Sequence, residues 1–127
     1  MTRLLFIGAG GFLGSVARYL VSGLVQAAMH SETFPYGTLA VNVVGCFVIG
    51  AVSYLSESHG AFTADARAFI VVGVLGGFTT FSAFGNETIN LLRDSEAWLA
   101  WANVVANVAF CLASVWAGRS AAFLVWR

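Results

Sequence analysis

The chain has no lysine, and its six arginines are matched by six acidic residues. Without a basic stripe there is nothing to follow a phosphate backbone, so nucleic acid is not an expected partner. Charged residues make up only 9% of the chain, against about 25% in soluble domains. There are two cysteines, Cys46 and Cys111, both inside apolar runs and with no CxxC or CxxH spacing. They read as small packing residues rather than a disulfide or metal pair. No Ser/His/Asp set, metal-ligand cluster or phosphate loop is visible, and His30 and His59 fall in expected loops. The run GAGGFLG at 8–14 resembles a dinucleotide loop only in its glycine content. The chain is not expected to be an enzyme.

What is present is hydrophobic surface, at 59% of residues. Uncharged stretches long enough for a hydrocarbon core of about 30 Å, which takes about 20 helical residues, predict an all-α integral membrane protein. Residues 1–127 form one domain with four spans, at about 4–29, 36–55, 67–92 and 97–122. The first span, with four glycines in residues 8–14, is read as retained rather than as a cleaved signal peptide. The single proline, Pro35, opens the second span. Asp65 is the expected cap of the third helix. Connections at about 30–35, 56–66 and 93–96 are too short for an extramembrane domain. Function is therefore expected within the membrane.

With the N-terminus inside, Arg3, Arg67, Arg119 and Arg127 share the cytoplasmic side and Arg93 lies opposite, a mild inside bias. Small residues recur on the spans, including Gly37, Gly45 and Gly50, and allow close helix approach in lipid. Several polar groups must be hidden as well, and a homo-oligomer does this economically.

Those polar groups are informative. Thr38 and Asn42 lie four apart on the second span and share a face. Asn42 reads either as a bond between helices or as a donor facing a pore. Asn103 and Asn107 repeat the spacing, with Asn103 expected near the interface and Asn107 deeper. Arg18 is the one basic residue well inside a span, and it either snorkels or edges a wet vestibule. Glu87 is its acidic counterpart in the third span, its partner open.

The third span carries GGFTTFSAFGNE at 76–87. Paired glycines, Gly76 and Gly77, weaken a helix where no water replaces its hydrogen bonds. A break near Gly76 is therefore expected, and irregular backbone at that depth survives only within protein or beside a wet cavity. Phe81 and Phe84 lie three apart and point one way. Ring edges carry partial positive charge, and beside an amide N–H they suit a small anion without binding it too tightly to leave. The first span holds no acidic residue, which favours passive permeation over a proton- or sodium-coupled small-ion exporter, the competing class.

GTLAVNVVG at 37–45, GGFTTFSAF at 76–84 and GGFLGSVARY at 10–19 together resemble the Fluc (CrcB) fluoride channels over nearly the whole chain. The resemblance implies an antiparallel, dual-topology homodimer in a bacterial-type inner membrane. Two pores would pass fluoride passively out of the cytoplasm and lower its toxicity. It implies pore roles for Asn42, Phe81, Phe84, Thr38, Ser82, Glu87 and Arg18. It also implies a structural sodium ion at the dimer centre, held by backbone carbonyls of Gly76 and Thr79. Ala83, Gly85 and Cys111 stand where family members often carry hydroxyls, which thins the outer polar track.

Overall fold

The computed structural model describes residues 1–126, and every regular element among them is helical. The crossings are α1 (Thr2–Ala28), α2 (Tyr36–His59), a composite third crossing and α6 (Ala97–Val125). The third comprises α3 (Ala64–Arg67), a π-helical segment (Ala68–Leu75), α4 (Gly76–Phe78) and α5 (Phe81–Arg93). All four stretches, the third taken as Ala64–Arg93, are long and apolar enough to cross a membrane. The all-helical, four-span reading of the sequence therefore holds. Arg127, placed with the inside arginines, lies outside the described residues.

The elements run further than the uncharged stretches alone suggest. α2 continues through Ser56, Glu57, Ser58 and His59, and stops at Gly60, whose φ of 58° is a left-handed helix cap. Asp65 is not the cap of the third crossing. Thr63 is, because its extended backbone aims Oγ1 at the Ala66 N–H at 3.2 Å. Asp65 sits inside the first turn and accepts from Arg3 Nε at 2.9 Å. At the same end of the molecule, Arg119 Nη2 meets Glu57 Oε2 at 2.7 Å.

Small residues set the packing. Gly10 and Gly14 of α1 lie on backbone atoms of Phe69, Gly73 and Val74, so a Cβ at either position would strike main chain. Gly50 of α2 and Gly118 of α6 face Val115 and Phe47 in the same way, locking the parallel pair α2–α6 together. The α1–α2 connection is held by one side chain. Gln26 Nε2 donates to the carbonyls of Ser31 (2.5 Å) and Phe34 (3.0 Å), while its Oε1 accepts from Gly37 N at 3.0 Å. All its amide capacity on that side is spent closing the loop.

Candidate functional site

α-Helical structure in the third crossing ends at Phe78. Thr79 (φ −84°, ψ 161°) and Thr80 (φ −152°, ψ 118°) are extended, and α5 begins at Phe81. The residues that leave the helix are thus the two threonines, not Gly76 and Gly77. Both glycines stay helical, and Gly77 is seated against Gly11 and Ser15 of α1. Threonine suits the extended stretch because its β-branch tolerates it and its hydroxyl supplies local partners. Thr79 Oγ1 donates to Leu75 O at 3.0 Å, and Thr80 Oγ1 caps α5 by accepting from Ala83 N at 3.1 Å.

Asn42 of α2 clasps this stretch. Its Oδ1 accepts from Thr80 N at 2.8 Å and its Nδ2 donates to Thr80 O at 3.1 Å, as a neighbouring strand would. The second Nδ2 hydrogen goes to Asn107 Oδ1 at 3.1 Å. Both donors of the amide are therefore used within the chain. In a continuous helix the Thr80 N–H would bond the Gly76 carbonyl. Its diversion to Asn42 frees that carbonyl, and the extended Thr79 likewise presents its own carbonyl away from the helix.

The polar chain continues along α6. Asn107 Nδ2 donates to Asn103 Oδ1 at 2.9 Å, and Asn103 Nδ2 donates to Thr88 Oγ1 at 2.9 Å. Thr88 Oγ1 donates in turn to Phe84 O at 2.8 Å. Asn103, expected near the interface, is fully buried within the chain. Its burial is stable because both ends of the amide are paired. Ser114 Oγ adds a bond to Val43 O at 2.9 Å.

The remaining candidates fall in separate places. Thr38 Oγ1 donates to Glu87 Oε1 at 2.6 Å, which supplies the partner left open for that carboxylate, while Glu87 Oε2 is buried with none among the described residues. Arg18 reaches inward, its Nη1 donating to Thr79 O at a long 3.4 Å. Ser82 is exposed and its Oγ lies 3.3 Å from Thr80 Oγ1. The Phe81 and Phe84 rings are 5.3 Å apart and tilted by 53°. They do not share one environment. Phe84 is 9% exposed and Phe81 is 82% exposed.

Two cavities divide these groups. One of about 470 Å³ is lined by Asn42, Gly76, Thr79, Thr80, Phe81 and Phe84 together with Asn107 and Cys111. The other, about 750 Å³, opens beside Thr38 and Glu87 and is flanked by Glu32, Asp94 and Glu96. The first brings amides, hydroxyls and ring edges around irregular backbone. Such a set can stand in for water around a small ion. Thr80, Thr88 and Gln26 were not singled out from sequence. The four-residue spacing of Phe84 and Thr88, matching that of Asn103 and Asn107, was the available signal.

Comparison with known proteins gives the family of the whole chain. The family model described as "CrcB-like protein, Camphor Resistance (CrcB)" matches residues 5–119. A fluoride-specific ion channel FluC of Opitutus terrae is 51% identical over 96% of this chain and 93% of its own length. Those of Geobacter sulfurreducens and Rhodospirillum rubrum are 47% and 46% identical, covering 96% and 95% of this chain and 98% and 95% of their own.

Proposed function

From the premise that this chain belongs to the CrcB-like family, a family of membrane transporters rather than enzymes, we propose that it is a fluoride channel. The reading adds that fluoride leaves the cytoplasm passively, which lowers its toxicity, and that two antiparallel copies in the inner membrane form two pores. The observation that carries the reading is the Asn42 clasp on extended Thr80 beside the Phe81–Phe84 pair. Fluoride is small and tightly hydrated, so it crosses lipid only where fixed donors replace its water. Ring edges and amide hydrogens do so without a full charge, which lets the ion leave again. Both Asn42 donors are engaged within the subunit. Its service to an anion therefore exchanges the Asn107 contact for the ion.

Phe81 lines the cavity and is 82% exposed, so in the proposed homodimer its ring is open to the second copy. Thr38, Ser82, Glu87 and Arg18 complete the proposed path. Thr38 and Glu87 belong to the wide polar cavity, and Ser82 and Arg18 border the extended threonines. The freed carbonyls of Gly76 and Thr79 fit a sodium ion, since hard cations take carbonyl oxygens. The long Arg18 contact leaves Thr79 O a lone pair for it. Bound there, sodium would supply positive charge that joins two copies.

The test is fluoride efflux from liposomes carrying the purified protein. Efflux that runs down its gradient, without a response to pH or sodium gradients, is expected. Uphill accumulation driven by either gradient would replace this reading with a coupled exporter.

A further inference from the structure

Cys46 and Cys111 were read from sequence as unrelated packing residues. The fold brings them together. α2 and α6 run parallel, and Asn42 and Asn107 touch at 3.1 Å. Cys46 follows Asn42 by four residues and Cys111 follows Asn107 by four, so each stands about 6 Å further along the same face of its helix. The next turn holds the backbones tight, Gly118 lying on Phe47 and Gly50 on Val115. Both cysteines are free and half-buried, and both line the cavity that holds Asn42, Phe81 and Phe84.

We propose that Cys46 and Cys111 form a two-sulfur site in the wall of this cavity for a soft, thiophilic cation that binds two ligands in line. The ligand count sets the class. No group of three or more His, Cys, Asp or Glu side chains able to hold a metal occurs among the described residues, so a tetrahedral zinc site lacks its ligands. Two sulfurs in a lining that holds no carboxylate or imidazole suit a soft d10 ion such as Hg2+, for thiolate ligands select soft metals. Binding replaces two S–H bonds by two S–Hg bonds and releases two protons, with no change of oxidation state. The ion then sits beside the amide and rings through which, on the proposed function, the anion passes. Bound as a neutral dithiolate, the ion narrows the passage by its bulk.

The experiment uses the reduced full-length protein with Hg2+ as the probe, in two arms. In the first, binding is followed by the ultraviolet sulfur-to-mercury charge-transfer band and by counting free thiols. One Hg2+ per subunit is expected to consume both thiols, and Cys46→Ser and Cys111→Ser are each expected to bind at least tenfold more weakly. Two ions per subunit, or undiminished affinity in either single variant, would overturn the shared site. In the second arm, efflux from liposomes is compared with each protein's own untreated rate. Hg2+ is expected to lower wild-type efflux at least tenfold, reversibly with a dithiol, and to spare both variants. Full efflux with the ion bound would place the sulfurs off the path. Should untreated vesicles pass no fluoride, the proposed function fails, while the first arm still decides the site.

Discussion

Asn42 carries three hydrogen bonds to groups on two other elements, so its side chain cannot be altered without disturbing the extended threonines. Asn42→Asp removes both donors and sets a carboxylate against the carbonyl oxygens of Thr80 and Asn107. Fluoride efflux is expected to fall more than about tenfold, equivalent to about 1.4 kcal/mol at the barrier. Unchanged efflux would show that the amide serves structure alone. Phe81 presents the opposite case. Because the ring is 82% exposed within the subunit, Phe81→Ile costs little folding energy and is expected to reduce efflux in protein that elutes as wild type. Asn103, fully buried, is a matter of stability. Asn103→Ala leaves Asn107 and Thr88 each short of a partner and is expected to destabilise the fold by about 1–2 kcal/mol, measured by thermal unfolding in detergent. The sequence disclosed Asn42, Phe81 and Phe84 because such residues are conspicuous in an apolar run. It did not disclose that Phe84 is buried and Phe81 exposed, since a three-residue offset gives a direction around a helix but not what lies there.

The elements follow closely from uncharged length. α1, α2, the third crossing and α6 overlap the hydrophobic stretches, with ends that differ by a few residues. The ends were less legible because residues such as Glu57 continue a helix beyond the apolar run, its carboxylate bonded to Arg119. The sequence put an interruption near Gly76, and the extended residues are Thr79 and Thr80. Close packing on α1 keeps Gly77 helical, and the deviation moves to Thr79–Thr80, where Asn42 and the hydroxyls supply partners. That shift depends on residues of α1 and on Asn42, 38 residues from Thr80 in sequence, and no local pattern reveals it. The α2–α6 pair yields a direct prediction. A methyl at Gly118 meets the Phe47 carbonyl, so Gly118→Ala forces the helices apart at a cost of about 1–3 kcal/mol. A lower unfolding temperature is expected, whereas an unchanged one would mean that the contact is loose.

Across the whole molecule, paired charges gather at one end. Arg3 with Asp65 and Arg119 with Glu57 lie there, while Arg93 lies among Asp94 and Glu96 at the other. Trp98 and Trp101 near the start of α6 and Trp126 beyond its end are exposed, as aromatic belts at two interfaces would be. If sodium joins two copies through Gly76 and Thr79, replacing sodium with a large organic cation is expected to lower the dimer's unfolding temperature. The same exchange is expected to leave Thr79→Pro, which removes a backbone N–H and reshapes that carbonyl, unaffected. Equal sodium sensitivity in both proteins would place the ion elsewhere. The central claim is that donors around an irregular third crossing strip water from fluoride and from no larger halide. It is tested most directly by loading liposomes with equal fluoride and chloride and recording both effluxes through the purified protein. Rapid fluoride loss with chloride retained is the predicted result, and equal loss of the two anions would contradict the account.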